Sequence, residues 1–383
     1  MTTRRNRTRL SVVVGAVCAM AMTLTAHSGT AYARTDDHAA TLAALRTLQA
    51  AAGPGAAVHA GADGADWTLS AGTGTYGADR PIQEDEHFLV GSQTKTFTAT
   101  VVLQLVDEGR IALDSPIETY LPGLVTGNGH DGTRITVRHL LQHTSGIAAY
   151  SPGLPLDVLT VQPPRRSDGT YDPREVVRTG LRLDPVSVPG AAFTYSNTNY
   201  VILGLLVEAV TGAPAREAVR SRVIEPLGLT STFIPAPGDR ALPLPAVTGY
   251  HGVRLGGFFA WTRAQVIDPS LYGGAGAMVS TLEDVTAFYQ ALLGGELLSP
   301  DSLAEMMDVA DVGDLGVGLG LVARQLSCGV TAWGHSGAMP GYQSYTLVTE
   351  DGRHASAMTN VMFQFGTPAP QMHAVVETAI CES

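Results

Sequence analysis

The chain has 383 residues, a formal net charge of −11, 43 glycines and 24 basic residues, of which only Lys95 is a lysine. The acidic balance excludes nucleic acid and anionic membrane surfaces as natural partners, because both would repel it. The roughly 350 residues after the N-terminal segment suffice for one large core or two lobes, and none of their stretches reaches the roughly 18 apolar residues of a membrane span.

Residues 1–33 read as a signal peptide, with arginines at 4, 5, 7 and 9, an apolar run from Leu10 to Ala26, and Ala31-Tyr32-Ala33 as cleavage triplet. Removing them takes away four arginines and no acid, which moves the net charge from −11 to −15. The mature protein is therefore expected to be secreted, with no stable membrane anchor, and to act as a monomer. Arg4-Arg5 is followed by Asn6-Arg7 rather than by the apolar residues of a twin-arginine signal, and Cys18 lacks a lipobox. Two cysteines remain, Cys328 and Cys381. In an oxidising compartment they would close a long loop, worth up to about 4 kcal/mol of chain entropy, and staple the C-terminal element. Two free buried thiols are the alternative; a metal site would want further ligands.

Residues 40–52 have apolar positions at helical spacing and end before Gly53-Pro54. Strand-like stretches follow at 56–60 and 66–72, broken by Gly61 and Gly64. A helix is expected to start at Ser92, with Phe97, Val101, Val102 and Leu105 on one face and Gly109 closing it. From 114 to 249 the pattern is helical, with candidate helices at 137–143, 174–183 and 199–210, and the proline-rich stretch 147–173 reads as a long loop at the rim of a site. A helix at 281–293 precedes strand-like runs at 317–323, 330–334, 343–349 and 355–361, and a last helix spans about 370–380. This order places an α/β lobe at 34–113 and 250–383 around a helical lobe at 114–249.

Three short motifs carry chemistry. Ser92 and Lys95, in GSQTKT, are three apart and share a helix face, with Ser92 at the positive end of the dipole. A desolvated neutral amine at that distance turns a hydroxyl into a nucleophile, and lysine, unlike arginine, can give up its proton. Tyr195-Ser196-Asn197 offers a phenol to relay that proton and an amide to hold a substrate carbonyl or orient the lysine. Alone, this tripeptide reads as turn and N-cap chemistry. His335-Ser336-Gly337 offers an imidazole opposite the nucleophile, a hydroxyl donor, and room for substrate beside a strand. Alone, it reads as a turn. No Gly-x-Ser-x-Gly elbow occurs, which disfavours a Ser-His-Asp hydrolase. His139 and His143 lack the glutamate of a zinc-protease helix and read as imidazoles satisfying a helix C-terminus.

With these motifs in this order, the sequence resembles the serine β-lactamase and penicillin-binding superfamily, and within it the secreted actinomycete D-alanyl-D-alanine carboxypeptidases. The likeness runs through VGSQTKTFTATVVLQLVDEGRIALDSPIETYLPGL, ITVRHLLQHTSGI, YSNTNYVILGLLVEAVTG, GAGAMVSTLEDV and LSCGVTAWGHSG. It implies an α/β fold of the β-lactamase and DD-peptidase type, an antiparallel sheet flanked by helices with an all-helical subdomain inserted. It implies Ser92 as the acylated nucleophile, Lys95 as its proton acceptor, and Tyr195 with His335 as the relay to the leaving group. Asn197 and Ser336 would bind substrate beside Gly337, and the backbone N–H groups of Ser92 and Ala338 would form the oxyanion hole. Cys328 and Cys381 fall where the subgroup has a disulfide. No cofactor or metal is implied; the partners are a small peptide or peptidoglycan stem peptide, and β-lactams as covalent inhibitors.

Two positions depart from the subgroup. Val322 stands where an arginine holds the terminal carboxylate of the substrate, followed by Ala323 and Arg324, and Leu271 stands where a tryptophan lines the site. An aliphatic side chain makes no bidentate carboxylate contact. Esterase, β-lactamase and D-aminopeptidase are therefore rivals on the same fold, with a non-catalytic β-lactam-binding protein as the rival from another class.

Overall fold

The computed structural model describes residues 38–383 except 63, 151–162, 256–257 and 364–367; the signal-peptide segment and the middle of the 147–173 loop lie outside the described residues. Helix α1 (Ala39–Ala52) buries Leu45, Leu48 and Ala52 on one stripe. It leads into the antiparallel pair β1 (Gly55–Ala62) and β2 (Ala65–Gly72). The expected break at Gly61 does not occur, because Gly61 keeps its ladder partners on both sides, Asp66 on β2 and His354 beyond.

Helix α2 (Thr94–Asp107) follows a 3₁₀ turn at Gly91–Gln93 and is buried on nearly every side, so it reads as a core helix rather than an amphipathic one. Helices α3 (Val137–Leu141), α4 (Pro173–Leu181), α5 (Asn197–Thr211) and α6 (Ala215–Val219) come next. Helix α3 stops two residues short of His143. His139 lies in its first turn and not at its C-terminus: it closes a capping box with Thr136, each backbone N–H bonding the other's side chain. Helices α7 (Leu282–Leu293) and α8 (Pro300–Met307) are capped by Thr281 and Ser299.

The other strands of the main sheet are β3 (Ala310–Val312), β4 (Leu315–Val317), β5 (Val322–Gln325), β6 (Thr331–Met339), β7 (Tyr342–Thr349) and β8 (His354–Thr359), and α9 (Ala369–Glu382) follows them. The eight strands form one antiparallel sheet in the order β2-β1-β8-β7-β6-β5-β4-β3, so an early strand and a late one, β1 and β8, are neighbours. The run 317–323 is not one strand: Gly318 to Leu321 form a turn between β4 and β5, with Gly318 N donating to Leu321 O. The run 355–361 divides as well, β8 ending at Thr359 while Val361–Phe363 pairs with a hairpin of Tyr250–Leu255 and Phe258–Arg263 that the sequence did not announce.

One core, beneath α1 and α9, holds Leu45, Val58, Leu347, Val375 and Ile380; the other, around α2, α5 and α7, holds Phe97, Leu103, Ile202 and Phe288. Phe97 and Phe288 stack with centroids 3.5 Å apart. Cys328, in the turn between β5 and β6, is bonded to Cys381 at the end of α9 with Cα atoms 5.9 Å apart. The bridge ties that helix to the sheet edge.

Candidate active site

Ser92 sits in the 3₁₀ turn ahead of α2, and that turn presses against β6. The contact is backbone on backbone. A Cβ on Gly337 would stand 1.9 Å from Val90 O, and one on Gly91, whose φ is +60°, would stand 2.6 Å from Ala338 N. Only glycine allows this approach, which sets Ser92 beside the edge of β6 from His335 to Ala338. Gln93 pins the turn from below, donating from Nε2 to Ser344 Oγ on β7 at 2.7 Å.

One helical step on, Lys95 is fully buried. Its Nζ lies 3.0 Å from Ser92 Oγ, 2.8 Å from Asn197 Oδ1 and 2.5 Å from the Ala275 carbonyl. No carboxylate is among these partners, and burial holds the amine well below its usual pKa. A neutral amine has two N–H bonds and one lone pair. With the N–H bonds given to Asn197 and Ala275, the lone pair faces Ser92, the arrangement a general base requires.

Tyr195 completes the cluster from the loop before α5, its hydroxyl donating to Ser92 Oγ at 2.7 Å. The serine proton is thereby directed toward Lys95. Burial of the hydroxyl end pushes this phenol above its ordinary range, so it stays protonated at neutral pH, although the ring itself is 40% exposed at the cavity mouth. The Tyr195 ring lies on His143 with centroids 4.4 Å apart, and His143 Nδ1 accepts the backbone N–H of Ser196 at 3.1 Å. His143 has a φ of +58°, just past the end of α3, and burial lowers its pKa well below the usual histidine value, so it acts as a neutral acceptor.

His335 lies inside β6, not in a turn, and is nearly buried. Burial, the largest cause, lowers its pKa to about 4. Its Nδ1 contacts the Ser336 carbonyl, which fixes the tautomer with the proton on Nδ1. A cavity of about 300 Å³ opens over Ser92, Tyr195, His335 and Ser336 through Ala338, and extends to Tyr345 on β7 and His373 on α9. All the site residues read from the three motifs thus converge, with Asn197 oriented on the lysine. Two participants were not read from sequence, the Ala275 carbonyl and His143. Val322 is half-buried on β5 opposite Gly334, and Leu271 is buried with its carbonyl accepting from Tyr150.

The Beta-lactamase family matches residues 40–372. A D-stereospecific amidohydrolase from Streptomyces is 38% identical, with a TM-score of 0.78 over 90% of this chain and 99% of that one. The D-amino acid amidase of Ochrobactrum anthropi, solved with L-phenylalanine amide, is 25% identical with a TM-score of 0.76 over 90% and 99%. Penicillin-binding protein 4 of Amycolatopsis lactamdurans is 30% identical over 323 residues, 80% of this chain and 81% of that one. The chain spans 60% to 81% of the length of the first curated relatives it matches. Matched along nearly its whole described length, the chain belongs to the Beta-lactamase family and is a serine hydrolase of the β-lactamase and penicillin-binding superfamily.

Proposed function

We propose that the protein cleaves amides on the carbonyl of a D-amino-acid residue through an acyl-enzyme on Ser92. The observation that carries this reading is the Lys95 amine, buried without a carboxylate partner and 3.0 Å from Ser92 Oγ. Lys95 takes the serine proton as Ser92 attacks the carbonyl, while the backbone N–H groups of Ser92 and Ala338 receive the developing oxyanion. Tyr195, with neutral His335 behind it, passes a proton to the departing nitrogen, and water then releases the acid. Ser336 and the Asn197 amide hold the substrate along the β6 edge.

The D-residue assignment rests on the similarity to the Streptomyces amidohydrolase and on Val322, which gives no cation where the carboxypeptidases hold a terminal carboxylate. A second reading, D-alanyl-D-alanine carboxypeptidase, is supported by Arg324, whose guanidinium engages Tyr345 in the cavity wall and brings a positive charge near it. A location outside the cell is supported by the sequence of residues 1–33 and by the Cys328–Cys381 bridge.

Purified residues 34–383 assayed with D- and L-phenylalanine amide, a D-Ala-D-Ala tripeptide, p-nitrophenyl acetate and nitrocefin separate the readings. The proposal expects the D-amide to exceed its L-isomer and the tripeptide at least tenfold in kcat/KM. Preference for the tripeptide would move the assignment to carboxypeptidase, and turnover of the ester alone to esterase.

A further inference from the structure

At the opposite end of the sheet row from His335, three ligating side chains meet on β1, β2 and β8. Asp66, Gly61 and His354 are direct ladder partners, and His59 lies two residues before Gly61 on the same strand face. Gly61 matters because it has no side chain: a Cβ there would stand 2.5 Å from Asp66 Oδ1. Asp66 and His354 therefore meet across it, with Oδ1 and Nε2 3.2 Å apart. A ring nitrogen of each histidine and a carboxylate oxygen of Asp66 all lie within 4.8 Å of one another.

His354 is fully buried, and the carboxylate of Asp66 is the group its Nε2 faces. The other nitrogen is held from behind, with Nδ1 3.1 Å from the Gly352 carbonyl and 3.0 Å from the Gln290 side-chain amide of α7. Both contacts hold the ring in place, the Gln290 one through its Nε2 donor. His354 Nε2 thus points at the Asp66 carboxylate, where a metal ion can take the place of a shared proton. His59 is oriented in the same manner, its Nδ1 2.9 Å from Thr68 Oγ1. Imidazoles fixed at one nitrogen by a carbonyl or hydroxyl and open at the other are the usual support of a metal centre. Glu84 and Glu283 add negative charge around the cluster.

We propose that His59, Asp66 and His354 bind a divalent transition metal of the zinc type, with water in the fourth position, clipping β1, β2 and β8 together. Two imidazoles and one carboxylate suit zinc over magnesium or calcium. Tetrahedral bonds of about 2.1 Å put ligand atoms roughly 3.4 Å apart, a spacing that the 3.2 Å between Asp66 and His354 already approaches. The role is structural: His59 and His335 are three strands apart, on the order of 14 Å at ordinary strand spacing.

The test uses the tag-free protein, stripped with a chelator and dialysed against zinc chloride, or against cobalt chloride for its visible spectrum. One equivalent of metal per chain, a tetrahedral cobalt spectrum and a rise in Tm reversed by EDTA are expected. Asp66→Asn and His59→Gln should each weaken binding at least tenfold, while leaving acylation by penicillin as in the wild type and so reporting an intact fold. No uptake by the wild type, or equal uptake by both variants, overturns the proposal and leaves the cluster as an Asp66–His354 contact within the sheet.

Discussion

Tyr195→Phe removes one oxygen and separates the chemistry of the site from its packing. The lost group is the donor of a 2.7 Å hydrogen bond to the nucleophile, whereas the ring that lies on His143 at 4.4 Å is retained. A net hydrogen bond contributes about 0.5–1.5 kcal/mol to stability. A positioned proton relay contributes about 10²- to 10⁴-fold to rate, equivalent to roughly 2.7–5.5 kcal/mol of barrier. The variant should therefore lose 10²-fold or more in kcat/KM on a D-phenylalanine p-nitroanilide while its urea midpoint shifts only slightly. The loss should fall on kcat more than on KM, since the phenol acts on protons in flight rather than on bound substrate. Activity within threefold of the wild type, or a rate loss matched by an equal loss of stability, would refute the reasoning.

Lys95→Arg keeps a positive charge that does not leave at any working pH, so acylation should fall at least 10³-fold, read as the rate of penicillin labelling; an active variant removes the general-base role. His335 has a folded pKa of about 4 against an ordinary 6.5, so it adds stability above pH 6.5 that is lost as the pH falls toward 4, because only the unfolded chain takes up the proton in that window. Urea unfolding should show up to about 3 kcal/mol less dependence on pH across it in His335→Gln than in the wild type. The Cys328–Cys381 bridge closes a loop of 53 residues, which chain entropy values at about 4 kcal/mol, so the Cys328→Ser, Cys381→Ser double variant should unfold at clearly lower urea with its site chemistry intact; an unchanged midpoint would show α9 to be held by packing alone.

The fold and site were unequally legible in the sequence. Ser92, Lys95, Tyr195, Asn197 and His335 stand out because each brings a reactive side chain at a spacing that local geometry makes meaningful. The Ala275 carbonyl has no such mark, since any residue carries one, and only the turn at Gly273–Ala275 aims it at the lysine. His143 was visible as a residue but not as a support for Tyr195, because that depends on its positive φ beyond the end of α3. Strand β6 extends through Gly334 and Gly337, where glycine lowers strand propensity but is demanded by the close approach of Thr346 O and Val90 O. Tertiary contact, not local preference, sets that element, and with it the position of His335.

The central claim is that Ser92 becomes acylated with Lys95 as its base. Intact-mass and peptide-mapping spectrometry after incubation with benzylpenicillin tests it most directly. One penicilloyl group on the peptide containing Ser92, absent in Ser92→Ala and in Lys95→Arg, is the expected result. An adduct on another residue, or no adduct under conditions where D-amide turnover continues and no acyl-enzyme can be trapped from the substrate, would contradict the account.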